Sequence, residues 1–331
     1  MAEYGLPYMG SKSKIANEII KIFPNAENFY DVFGGGFSIT HAMLTRRSRD
    51  YKQFHFNEIR PGVCDLIKDA IAGKYNYNVF KPPWVSREEF FAKLDSDPYI
   101  KLCWSFGNDG SSYIFSKEIE PYKKSMHNAI AFNEFDDLAR NVFGMERFKD
   151  GYSINQKRLF LRNKIEYYRK TKVPEFLWPF LNEKHLEIVR ANKTADNLKQ
   201  LEQLQRLERL QQLERLQQLQ QLQQLQQLQF YSTSYEKIPI KENSIIYCDP
   251  PYAGTAGYDG EFNADKFLNW AHEQANPVFV SEYNITDKRF KLVFEIKKRS
   301  MISSDKSVGN KIEKVFGNHA AIKALKELKN V

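Results

Sequence analysis

Residues 249–252 read Asp-Pro-Pro-Tyr and directly follow the apolar run Ile245, Ile246, Tyr247 and Cys248. The run predicts a strand buried on both faces of a parallel sheet. Proline cannot feed a ladder, and the residue before a proline is pushed to extended geometry, which applies to Asp249 and Pro250 alike. A stiff turn then presents a carboxylate (Asp249), a main-chain carbonyl outside the ladder (Pro250) and a ring (Tyr252), at the carboxyl end of a strand where open α/β sheets hold ligands. Two acceptors and a ring suit an exocyclic amine on a nucleobase. Such a nitrogen is a poor nucleophile because its lone pair is delocalised. Two oxygens can take both N–H bonds, turn the lone pair toward an electrophilic methyl and stabilise the developing positive charge. The ring would stack on an extruded base. The plainer alternative is a proline-stopped strand with a surface acid, and the four residues together favour chemistry.

Such a corner needs a sheet behind it and a donor site beside it. Tyr8-Met9-Gly10-Ser11-Lys12 precedes a helical pattern through Ile15, Ile19, Ile20 and Ile22. A turn there offers N–H groups and an ammonium to an anion or carboxylate, or is simply a helix cap. Residues 28–33 then predict a strand, Gly34, Gly35 and Gly36 a turn, and residues 39–44 a helix. Open α/β folds bring the backbone close to a nucleoside cofactor in this way, although the dinucleotide pattern G-x-G-x-x-G is absent. Residues 54–58 predict a second strand ending on Glu58, an acid placed to take ribose hydroxyls or else simply exposed.

Taken in order, Tyr-x-Gly-Ser-Lys, Asp-Val-Phe-Gly-Gly-Gly, Phe-Asn-Glu and Asp-Pro-Pro-Tyr resemble the Dam-type DNA adenine N6-methyltransferases. The resemblance implies a Rossmann-like α/β sheet, mostly parallel with one antiparallel strand, and an inserted, mainly helical target-recognition lobe. It implies S-adenosylmethionine as methyl donor, no metal and double-stranded DNA as partner. By position it assigns the cofactor to Tyr8, Lys12, Asp31, Phe33, Gly34, Gly35, Gly36, Glu58 and Asp249, and the target amine to Asp249, Pro250 and Tyr252. Phe37 stands where many members have another glycine and is expected to narrow the pocket. Glu58 replaces the commoner aspartate.

The implied domains are residues 1–74 (cofactor half), 75–193 (recognition lobe), 194–228 (repeat segment) and 229–331 (catalytic half). The lobe interleaves aromatics with Lys and Arg, a pattern suited to phosphate contact and base stacking. For any single ring, a place in the lobe's own core is the stronger reading. Its turn-rich stretch 105–113 could approach DNA as a hairpin. From 201 to 228 leucine recurs at every third position, ten times, among Gln, Glu and Arg. Successive leucines shift by about 60° around an α-helix, so the repeat is not a heptad. It predicts a helix bridging lobe and sheet, packed in its amino half and exposed or self-associating beyond.

Residues 228–235 predict a strand, 253–260 a glycine-rich lid, and 262–271 a helix with Phe267 and Trp270 inward. Residues 277–283 predict a strand from which Ser281 and Tyr283 could line the pocket. Residues 290–299 suggest a hairpin, and 311–316 a last strand. Aromatics make up 14% of the chain and the formal charge is +8, which suits a partner of phosphates and bases. Three cysteines without paired spacing and six scattered histidines indicate neither a disulfide framework nor a metal site. With no apolar run of about 18 residues and no signal-peptide core, the expected location is the cytoplasm, and the resemblance implies that of a bacterial or phage-infected cell. Two rivals stay open here. One is methylation of adenine in RNA (or of a protein amide, for which an asparagine in place of Asp249 is commoner). The other is an inactive DNA-binding or assembly protein whose function lies in the leucine repeat.

Overall fold

The computed structural model describes residues 4–76, 80–170, 216–219, 222, 227–251, 262–298 and 311–329. The chain divides into two compact units, residues 1–73 with 215–331, and residues 74–214.

The first unit is built on a seven-stranded sheet of order β3-β2-β1-β4-β5-β7-β6. Its strands are β1 (Asn28–Asp31), β2 (Gln53–Asn57), β3 (Leu228–Tyr231), β4 (Ser244–Cys248), β5 (Val278–Glu282), β6 (Lys291–Lys298) and β7 (Lys311–Gly317). Strands β1 to β5 pair in parallel, and β7 runs antiparallel to both its neighbours. The fold is therefore the mostly parallel α/β sheet with one antiparallel strand that the motifs imply. The chain winds from β1 outward through β2, and then from β4 outward through β5. Strand order reverses between β1 and β4, and their carboxyl ends flank the crevice where such sheets take ligands.

Both central strands are buried along their whole length, as continuous apolar runs require. Period-two alternation divides their side chains. Phe29, Tyr247 and Phe279 meet the Phe23 ring, which lies 5.2–5.6 Å from each. Tyr30, Ile246, Cys248, Val278 and Val280 form the other cluster, together with Phe267 and Ala271 of helix Ala264–Glu273; Trp270 of that helix is partly buried against it.

Three boundaries differ from the sequence reading. The first strand stops at Asp31 rather than Phe33. Val32 still donates to Tyr247 O at 3.0 Å, but the Asn57 side chain takes the Val32 carbonyl at 2.9 Å, so the ladder ends there. The third strand ends at Tyr231, and a 3-10 turn follows at Tyr235–Lys237. The amino-terminal helix α1 is only Ala16–Ile19, followed by a 3-10 turn, so the Gly-Ser-Lys segment precedes it as a turn without capping it.

The second unit is helical where described, with helices Arg87–Lys93, Pro98–Cys103, Glu120–Phe132, Asp137–Phe143 and Ile154–Lys170. Ser86, Asp97 and Asp136 cap the helices that begin at Arg87, Pro98 and Asp137 by accepting backbone N–H groups, each an ordinary N-cap. Trp104, Tyr122, Phe143 and Phe148 are fully buried, so many of the lobe's rings form its own core. Tyr167 and Phe91 are exposed, and Phe106 is more so, at 63%. It stands on a hairpin closed by the Ser105↔Tyr113 bridge and held inside by Asp109, which accepts from the Ser111 and Ser112 amides.

Within the leucine repeat, residues 216–219 are helical, with Leu216 and Leu219 both buried. Most of the expected bridging helix and its self-association lie outside the described residues. No helix among the described residues is long and apolar enough to cross a membrane.

Candidate active site

Two cavities lie over the carboxyl ends of β2, β1 and β4. The larger, about 440 Å³, is lined by residues 8–12 (Tyr8 to Lys12), Phe33, residues 34–36, Tyr247, Asp249, Pro250, Pro251, Tyr283 and Glu313, among others. The second, about 360 Å³, is lined by Glu58, Asn57, Ile59, residues 233–236, Phe262 and Lys266, among others. Phe33, Gly35, Asp249 and Pro251 belong to both linings, so the cavities abut along that ridge.

The amino-terminal segment is clamped onto the glycine turn. Leu6 N donates to Gly36 O at 2.7 Å, and the Ser11 and Ser38 hydroxyls bond at 2.7 Å. A Cβ on Gly36 would sit 2.4 Å from Cβ of Tyr8, and one on Gly34 would sit 2.0 Å from the Phe56 ring. The glycines at 34 and 36 are therefore demanded by the protein's own rings, whatever else approaches the turn. Gly35 has φ +49°, a conformation that glycine adopts readily.

Phe37 does not narrow the cavity. It adopts φ 69° and ψ 16° just before helix α2 (Ser38–Arg46), an uncommon region for a bulky residue. That conformation turns its ring into the core, fully buried, 5.0 Å from Phe56 and absent from both cavity linings.

Glu58 lies just beyond β2 and is 6% exposed. Its Oε2 accepts from Gly35 N and its Oε1 from Arg60 N, each at 2.8 Å. Burial raises its pKa; bonds from the Arg60 and Gly35 amides, the Arg60 charge and the Tyr8 hydroxyl oppose that rise. With about four lone-pair sites on its two oxygens, the carboxylate keeps acceptor capacity beyond these three donors. Asn57 fixes the floor of the same cavity, donating to Val32 O and Thr233 O and accepting from Thr233 N.

Lys12 and Asp249 form an ion pair at 2.9 Å, and Lys12 also reaches Glu313 at 3.3 Å. Burial alone would lower the Lys12 ammonium, but the two carboxylates outweigh it and hold it above its usual range. Asp31 sits beneath, in neither lining. Thr40 donates to its Oδ2 at 2.7 Å, while its Oδ1 is buried with no hydrogen-bond partner among the described residues. Burial lifts Asp31 to about 7, against the Thr40 bond and with help from the Asp249 charge. Cys248 is no nucleophile: burial, then Asp31 and Asp249, push its thiol far up.

Of the residues singled out in the sequence, Tyr8, Lys12, Phe33, Gly34, Gly35, Gly36, Asp249 and Pro250 surround the larger cavity, and Glu58 faces the second. Asp31 supports from below. Tyr252 and the expected lid at 253–260 lie outside the described residues. Tyr283 lines the larger cavity, whereas Ser281 is buried below it, bonded to the Tyr247 hydroxyl at 2.7 Å. Sequence reasoning missed Glu313. The signal was present: strand alternation puts it on the inward face with Val315, where an apolar residue is expected. No group of His, Cys, Asp and Glu among the described residues could hold a metal ion.

The family model for D12 class N6 adenine-specific DNA methyltransferase matches residues 8–276, a span that includes the glycine turn, Glu58 and the Asp-Pro-Pro-Tyr corner. None of the curated proteins matches the chain.

Proposed function

The chain belongs to the D12 class N6 adenine-specific DNA methyltransferases, and on that premise we propose that it methylates N6 of adenine in double-stranded DNA, using S-adenosylmethionine, at the site around Asp249.

The observation that carries this reading is the meeting of Asp249 and Pro251 with Gly35 on the ridge between two cavities, with Pro250 facing the larger one. A nucleoside joined to an amino-acid tail, plus a flipped base, needs two adjoining spaces of about this size. The residues fit. Glu58 is a deeply buried carboxylate with acceptor capacity left for a ribose hydroxyl, and Glu58 and Asp249, on the walls of the two cavities, give the site an acidic character suited to a sulfonium cation. Tyr8, Lys12, Phe33 and residues 34–36 would hold the remainder of the cofactor. When bound, the cofactor supplies an electrophilic methyl carbon.

The chain's own residues do the rest. Asp249 accepts one N–H of the target amine, and the Pro250 carbonyl, beyond the end of β4 at Cys248, accepts the other. The carboxylate then stabilises the positive charge that develops on nitrogen. Tyr252 stacks on the extruded base. No group in this scheme forms a covalent bond to the substrate.

The test is transfer of label from S-adenosylmethionine to duplex DNA, single-stranded DNA and RNA, with Asp249→Ala beside the wild type. Label on N6 of adenine in duplex DNA, reduced about 10²- to 10³-fold in the variant, is expected. Label on RNA alone, or an unimpaired Asp249→Ala, would overturn the reading.

A further inference from the structure

Glu313 has no part in the scheme above, yet it lines the larger cavity and is only 2% exposed. It reaches the site from β7, the antiparallel strand, and shares one buried ammonium with Asp249: Lys12 Nζ is 2.9 Å from Asp249 Oδ1 and 3.3 Å from Glu313 Oε1. An ammonium has three donors and can serve both oxygens at once. Lys12 nevertheless competes for the Asp249 carboxylate with any amine that must donate to it. Asp249 keeps lone pairs for an amine, but Lys12 draws on the negative charge it must offer, so Asp249 stabilises the developing cation better as Lys12 shifts away from it. A buried ammonium without a carboxylate is strongly disfavoured, and Glu313 is the second carboxylate within reach.

We propose that Glu313 is a positioning residue for Asp249, taking over the Lys12 ammonium when the target amine engages the Asp249 carboxylate. This rests on the methyl-transfer reading of the same site. Among the described residues, Asp249 beyond β4 and Glu313 on β7 face Lys12. Tyr247 of β4 interacts with both of these carboxylates and with Asp31 of β1, and the Tyr8 and Tyr283 side chains complete the wall.

The experiment uses the full chain as wild type, Glu313→Gln, Lys12→Met and the double variant. It reads single-turnover methylation of duplex DNA from about pH 6 to 10, with cofactor affinity measured separately. Glu313→Gln should slow turnover about 10- to 100-fold, the usual loss when a supporting partner is removed, while cofactor affinity stays within about threefold. With one carboxylate gone, the support that holds the Lys12 ammonium up is weakened, so an alkaline limb that the wild type lacks across this range should enter it in Glu313→Gln. In the Lys12→Met background Glu313→Gln should add little, because it acts through that lysine. A merely structural role would lower melting temperature and active fraction without moving the limb.

An unshifted limb with wild-type rate, or full additivity with Lys12→Met, overturns the proposal. If Glu313→Gln does not fold, Glu313→Asp decides: it keeps the charge, so its limb should stay at the wild-type position, and a shifted limb overturns the proposal. A wild type that methylates no DNA sinks the methyl-transfer reading and this inference with it. An active wild type with a silent Glu313→Gln sinks only the inference.

Discussion

Lys12 Nζ lies 2.9 Å from Asp249 Oδ1, so the first motif of the chain and the Asp-Pro-Pro corner meet in one ion pair with side chains only 7% and 19% exposed. In so dry a place the pair cannot be treated as a surface salt bridge. Removing Lys12 leaves two buried carboxylates facing each other without their cation.

Lys12→Met strands Asp249 and Glu313 without their cation and is expected to cost about 3–5 kcal/mol of stability, measured by urea unfolding at neutral pH. The sign with pH is fixed by the raised lysine. Its contribution is fully present below the unfolded value of 10.5 and is lost as pH rises through the higher folded value. The gap between wild type and variant should hold steady from about pH 7 to 9. A gap that closes within that window contradicts the ion pair.

Asp31 behaves in the opposite sense to an ordinary salt-bridged acid. Its folded value is about 7, against 3.8 for the ordinary carboxyl. The stability it lends is fully present below 3.8 and is lost as pH rises through 7, because the unfolded chain ionises first. The loss runs at roughly 1.4 kcal/mol for each pH unit crossed between those two values. Asp31→Asn, which keeps an acceptor for Thr40, should gain on the wild type between about pH 4 and 7 and then run parallel. Parallel curves throughout would show that Asp31 titrates normally.

Phe37 sets two effects against each other. Replacing it with glycine relieves a left-handed backbone, which is about 1–3 kcal/mol, but empties a fully buried aromatic site, which costs about 3–5 kcal/mol. Burial is the larger effect, so Phe37→Gly should be destabilised by about 2 kcal/mol, read from its melting curve. Since the ring lines neither cavity, cofactor affinity should be retained. A weakened affinity at full folding would place the ring in the site after all.

Phe106 projects from a closed hairpin with 63% of its surface exposed. Most of the lobe's largest rings are committed to its core; Phe106 is exposed, as are Tyr167 and Phe91, and stands on the hairpin, where it is available for base stacking. Phe106→Ala should weaken duplex DNA binding by about 1–3 kcal/mol, followed by fluorescence anisotropy, with cofactor affinity and melting temperature unchanged. DNA binding equal to that of the wild type would remove the hairpin from the interface.

The strands were legible because each is a local statement. Ile245 to Cys248 is apolar throughout, and a run with no polar face has to be covered on both sides. Strand ends were less legible. The first strand stops at Asp31 because Asn57, on the neighbouring strand, captures the Val32 carbonyl, and nothing in residues 28–33 announces that. Phe37 shows the same limit. Its position beside three glycines suggested a crowded pocket, but the sign of one φ angle sent the ring into the core instead.

Chain order alone, then, carried the strand-turn-helix beginning, the proline-stopped strand and the acid-and-carbonyl pair, because those depend on neighbours within a few residues. The pairing of β1 with β4, the burial of Asp31 and the sharing of Lys12 between Asp249 and Glu313 came from the folded chain. They depend on how crossovers order the strands, and β7 enters the sheet antiparallel between β5 and β6. Electrostatics in a dry crevice is set by distance through space, and distance along the chain carries no information about it.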